Sequence, residues 1–228
     1  MKSSTIRRLT VAFASLPLLA ATAFPALAHH MTGGKLPDTF ATGLLSGLGH
    51  PIIGLDHFAF IAGVGIVSAF LPRGLIGIIA FVLATIAGCA LHLISVTIPA
   101  PEFLVAASVL VVGAAIMTGR PLSLPVAMVI FALAGLFHGY AYGESIFGAE
   151  QTPLAAYLAG FAIIQAAIAA AFMIAVRRLK SMHLAGGTPA RLAGAIIAGV
   201  GLAFLVQNVE SVIIPVPVAT HTTQTPGA

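Results

Sequence analysis

Residues 40–71 read FATGLLSGLGHPIIGLDHFAFIAGVGIVSAFL, an apolar run interrupted only by His50, Asp56 and His57 as ionisable residues. As one unbroken helix it would be about 48 Å long at 1.5 Å per residue. That is well beyond the roughly 30 Å hydrocarbon core of a bilayer, so the stretch must bend or break. Pro51 and Gly54 mark the place, because proline cannot donate a helical hydrogen bond and glycine accepts backbone conformations that other residues resist. The expected product is a short outer or re-entrant helix from about Thr39 to Gly49, followed by the first full span from Asp56 onward. Irregular backbone at membrane depth is tolerated only where it is buried in protein or lines a polar cavity.

The rest of the chain supports the same solvent. Of its 228 residues 59% are hydrophobic and 7% charged, with a mean hydropathy of +1.09, too little polar surface to cover a water-soluble globule. Apolar segments bounded by Pro, Gly and charge fall at about 56–71, 74–95, 102–118, 124–142, 154–176 and 190–209. The fold class expected is all-α, a polytopic membrane bundle of about six transmembrane helices whose first span is preceded by a broken or re-entrant helix. No length remains for a soluble domain.

Residues 1–28 read as a cleaved export signal: Lys2, Arg7 and Arg8, an apolar middle, and Ala26-Leu27-Ala28 as the cleavage site. Its removal takes three of the ten Lys/Arg and no acid, leaving seven basic against six acidic residues. The basic balance is therefore mostly the leader and gives no reason to expect a nucleic-acid partner. Export places His29 outside the inner membrane, and alternation puts Arg73, Arg120, Arg177, Arg178, Lys180 and Arg191 in cytoplasmic loops with only Lys35 outside, a positive-inside pattern. The transmembrane region then spans 29–214. The Pro- and Thr-rich tail 215–228 is external and disordered by composition. With no Trp in the chain, the interfacial belt is assigned to Tyr and Phe.

Ionisable side chains inside spans are expensive, face the bundle interior and mark ion or substrate routes. Here they concentrate at His50-x5-Asp56-His57 and at Phe137-His138-Gly139-Tyr140-Ala141-Tyr142-Gly143-Glu144, with His92 near the end of the second span. In the deduced topology all lie in the outer half, where outward-running helices direct the negative ends of their dipoles. Imidazole with carboxylate suits Ni(II), Co(II) or Zn(II), and no thiolate cluster favours Cu(I). On a regular helix His50 and His57 share a face two turns apart, whereas His138 and Glu144 stand about 120° apart. They meet on one ion only if the helix loosens near Gly139 or Gly143.

Each residue also has a plainer reading: His92 as an interfacial hydrogen-bonding group, Asp56 as a helix cap, Glu144 as a solvated loop residue. His183 and His221 read as solvated, and Gln165 as an interhelical hydrogen bond or a weak pathway ligand. Cys89, the sole cysteine, excludes a disulfide or a Cys-x-x-Cys site and reads as a packing residue. Small residues four apart (Gly135, Gly139 and Gly143; Ala84 and Gly88; Gly194 and Ala198) predict close helix contacts. A zinc-dependent intramembrane hydrolase is the rival, with Glu144 as its base; a bis-histidine haem protein has nothing specific in its favour.

The two histidine segments make the chain resemble the HupE/UreJ family of nickel and cobalt permeases, from the signal to the last span. The resemblance implies a non-enzymatic permease moving divalent nickel or cobalt into the cytoplasm, with the ion as substrate and no resident cofactor. Ligands would come from His50, Asp56, His57, His138 and Glu144, with His92 on the route. The absence of a Gly-x4-Gly-Lys-Ser/Thr loop agrees with transport that needs no nucleotide. A cleaved N-terminus at His29 would add an α-amine beside the His29 and His30 imidazoles, an outer metal-capture element.

Overall fold

The computed structural model describes residues 35–181 and 188–213. The expected signal, the capture residues His29 and His30, His183 and the tail with His221 lie outside the described residues. Among the described residues seven helices follow in order: α1 Phe40–Ile53, α2 Leu55–Ser68, α3 Gly74–Leu93, α4 Pro101–Met117, α5 Leu124–Glu144, α6 Gln151–Ser181 and α7 Thr188–Ile213. No strand occurs among the described residues.

The long stretch is broken, with an angle of 79° between α1 and α2, at Gly54, the second of the two residues expected to mark the place, while the first helix runs past Gly49, its expected end. Thr39 opens α1 by accepting from the Thr42 N–H at 3.1 Å, while the Thr42 hydroxyl accepts from the Thr39 N–H at 3.0 Å. The helix then runs through Pro51 to Ile53. Pro51 sits in the last turn, where a missing N–H forfeits a single backbone bond, so the helix tolerates it. The break is at Gly54 alone, whose N–H donates to the His50 carbonyl at 3.0 Å and whose carbonyl accepts from Phe58 N–H at 2.8 Å. One residue thus ends one helix and starts the next. A Cβ there would come within 2.7 Å of His57 Cδ2, so a side chain would displace the His57 ring.

Neither half crosses a bilayer unaided. Each has 14 residues, about 21 Å of helix, and α2 stops at Ser68, short of the expected Leu71. Against the expected count of about six, four helices among the described residues (α3, α5, α6, α7) are long and apolar enough to cross a membrane, five if the bent pair is one span; α4, with 17 residues, is a shorter apolar helix. Large apolar side chains point outward along them: Leu75, Ile79 and Leu83 on α3, Val129 and Leu133 on α5, Leu192, Ile196 and Leu202 on α7. In water this surface would aggregate; in lipid it is the solvated face.

The small-residue faces do what the spacing predicts. Gly139 lies directly on the Thr85 backbone and Gly88 on the Leu136 backbone, joining α3 and α5. Gly113 and Gly194 do the same between α4 and α7. Side chains there would push the backbones apart, and in lipid van der Waals contact is the main force holding helices together. The helix ends sort the charge. Arg73, Arg120, Arg177, Arg178 and Arg191 share one end of the bundle; Asp38, Glu102, Glu144, Glu150 and Glu210 share the other. The Tyr belt does not exist, because Tyr140, Tyr142 and Tyr157 are all buried.

Candidate metal site

The bend at Gly54 creates the site. On a straight helix His50 and His57 would stand about 10.5 Å apart along the axis; across the break their ring centroids are 5.6 Å apart. Both are buried, as is Asp56. The Asp56 Oδ1 accepts from the His57 N–H at 2.8 Å, a carboxylate in the first turn of α2 that offsets the positive end of that helix dipole. Bend and helix start together set the Asp56 carboxyl group and two imidazoles inside an apolar bundle.

From α5, His138 completes a chain of hydrogen bonds. Its Nδ1 lies 2.7 Å from His57 Nδ1, and its Nε2 lies 3.0 Å from the Ser108 hydroxyl of α4. The Ser108 hydroxyl also lies 2.7 Å from the Val105 carbonyl; when it donates there, His138 Nε2–H is the donor to Ser108. That leaves an acceptor at His138 Nδ1, to which His57 Nδ1–H donates, and puts the His57 lone pair on Nε2. Beneath, the His138 ring rests on Phe60, centroids 4.5 Å apart, and Phe60 on Phe81 at 5.5 Å. These two fully buried rings floor the cluster.

His50 is held differently. Its Nδ1 is 3.1 Å from both the Ser145 hydroxyl and the Tyr157 hydroxyl, and Tyr157 donates its own hydrogen to the Tyr142 carbonyl at 3.0 Å. The Tyr142 ring packs against both imidazoles, 4.9 Å from His50 and 4.5 Å from His57. Its hydroxyl is buried without a hydrogen-bond partner.

Not every expected ligand arrives. α5 stays helical through Glu144, so the loosening needed to turn His138 and Glu144 toward one ion does not occur, and Glu144 is exposed. His92 stacks on Tyr140 at 4.6 Å and on Phe147 at 5.6 Å instead of joining the cluster. Among the described residues no group of three or more His, Cys, Asp or Glu stands close enough to enclose an ion. The His57–His138 separation of 2.7 Å is a hydrogen bond, shorter than the ~3 Å between neighbouring donors on an ion with bonds near 2.1 Å. Cys89 is buried with Tyr142, Ile146, Tyr157 and Phe161, in keeping with packing.

Four supporting residues escape a sequence reading: Ser108, Tyr142, Ser145 and Tyr157. The available signal was that the chain has three tyrosines, two on the His138 segment and one in the second turn of α6, where an amphipathic ring inside an apolar run demands a partner.

A family model described as HupE / UreJ protein matches residues 17–204. Protein HupE of Rhizobium leguminosarum bv. viciae is 31% identical over 194 residues, covering 82% of this chain and 95% of that relative. No solved structure matches. On the extent of both matches, and with the motifs at His50, Asp56, His57 and His138 gathered inside a membrane bundle, the chain belongs to the HupE/UreJ family.

Proposed function

We propose that the protein is a permease carrying divalent nickel or cobalt across the inner membrane toward the cytoplasm, with both mature termini on the periplasmic side. The observation that carries this reading is the burial of three imidazoles and a carboxylate, His50, His57, His138 and Asp56, in the half of the bundle nearer the carboxylate-rich end. Such groups are costly in a membrane and accumulate on ion routes. The arginine-rich end is the cytoplasmic one by the positive-inside rule, so the ion enters among carboxylates and leaves among arginines.

The geometry favours transient binding. Accommodating an ion between His57 and His138 requires their mutual hydrogen bond to open, so loading the site and altering the contacts of α2 with α5 are one event. An inside-negative potential supplies drive: about 4.6 kcal/mol for a divalent ion through 100 mV. Nothing in the site favours the zinc-hydrolase reading, since Glu144, the base it needs, is exposed. Glu144 and His92 belong to the outer approach to the site in this reading, not to its core. Uptake of nickel, cobalt and zinc, each measured alone in proteoliposomes holding the purified protein, tests the assignment. Accumulation of nickel or cobalt supports it; equal rates with empty liposomes would remove it.

A further inference from the structure

Gln165 lies at the middle of α6, 15th of 31 residues, one turn past Phe161 toward the arginine end, and it is fully buried. Its amide nitrogen donates to the Thr85 hydroxyl at 3.3 Å and to the Phe161 carbonyl at 3.1 Å. Both partners are acceptors at those contacts, because Thr85 spends its hydrogen on the Val82 carbonyl at 2.8 Å. The orientation of the amide is therefore forced, and Oε1 is left buried with no partner.

A buried acceptor without a donor is uncommon and calls for an occupant. Its position suggests which. Tyr157 and Phe161, two turns and one turn before Gln165, contact His50 and Tyr142 respectively, and Thr85 packs on Gly139, next to His138. Gln165 is thus adjacent to the histidine cluster on the side away from the carboxylate end. Further along, the Ser68 hydroxyl is likewise fully buried without a partner, while the Ser68 carbonyl accepts from Arg177 at 3.4 Å. Unpartnered oxygens therefore recur between the imidazoles and the arginine end, inside an otherwise apolar core.

We infer that Gln165 Oε1 is a second, inner coordination point for the transported divalent cation, receiving it from the histidine cluster before it passes Ser68. This rests on the transport reading above. A neutral amide oxygen holds a borderline metal ion more weakly than imidazole, as a release step requires, since conduction needs sites from which the ion can leave. Glutamine's donors fasten it to Thr85 and Phe161, which fixes the oxygen in place without adding charge.

The test compares Gln165→Leu, close in volume but without the oxygen, and Gln165→Glu, which adds charge at the same atom. In Gln165→Leu, nickel affinity of the purified protein should stay within about twofold of wild type while the uptake rate falls about tenfold or more. In Gln165→Glu a second bound nickel per chain should become measurable by equilibrium dialysis. Wild-type uptake by Gln165→Leu would overturn the inference. So would a parallel loss of thermal stability and nickel binding in Gln165→Leu with no added nickel in Gln165→Glu, the outcome of a mere helix fastener or a trapped water. Absence of uptake by the wild-type protein itself is a separate result that removes the transport reading.

Discussion

His57 and His138 meet nitrogen to nitrogen, Nδ1 to Nδ1 at 2.7 Å, across two helices whose positions are 81 residues apart in sequence. The contact continues to a third helix, where His138 Nε2 lies 3.0 Å from the Ser108 hydroxyl. Removing the Ser108 hydroxyl leaves a buried N–H of His138 unpaired, at a cost of about 1–3 kcal/mol. Ser108→Ala is expected to lower thermal stability and nickel affinity together, whereas Ser108→Thr, which keeps the hydroxyl, retains most of both. Parallel melting and binding curves for the two variants check this.

His50→Ala, Asp56→Ala and His57→Ala are each expected to reduce uptake by about tenfold or more while the protein still inserts in the membrane, since each removes a donor from a desolvated cation site. Uptake corrected for the amount of protein in the membrane fraction is the measurement. Normal rates in all three would detach the histidine cluster from transport.

Glu144→Gln and Asp56→Asn separate the two carboxylates. Glu144 is exposed and Asp56 buried beside His57, so loss of the Glu144 charge should change the uptake rate by about twofold at low salt and less as ionic strength rises. Asp56→Asn should nearly abolish it at any salt. A Glu144 variant as inactive as the Asp56 variant would mean that α5 unwinds near Gly143 during transport.

Gly139 and Gly199 offer a packing contrast. Gly139 lies against the Thr85 backbone, while a side chain at Gly199 would meet nothing within 4 Å. Gly139→Leu should therefore prevent stable assembly of α3 with α5, and Gly199→Leu should behave as wild type. Size-exclusion profiles in detergent, with the midpoint of thermal aggregation, give the answer.

Much of this architecture follows from residues 40–71, whose length and apolarity alone demand a break. Of the two residues expected to mark the break, Gly54 makes it; only the end of the first helix, expected at Gly49, was set too early, because a proline in a final helical turn costs little. His50, His57 and His138 were legible because an ionisable group in an apolar run has no cheap structural explanation. Their spacing misled in one respect: the bend, not helical periodicity, brings His50 to His57. Glu144 was expected to meet His138 on one ion only if the helix loosened, and α5 stays regular through Glu144. Ser108 and Tyr157 were not legible, since a hydroxyl in a helix can satisfy itself locally and its partners here lie 30 and 107 residues away.

The central claim is that a divalent metal ion crosses the membrane through the buried histidine cluster. Nickel influx into proteoliposomes under an imposed inside-negative potential, with wild-type and His57→Ala protein reconstituted side by side at equal amounts, tests it most directly. Accumulation by the wild type, raised by the potential, is expected, with influx no faster than empty liposomes for His57→Ala. Equal influx by the two proteins, or none by the wild type with either nickel or cobalt, would contradict it.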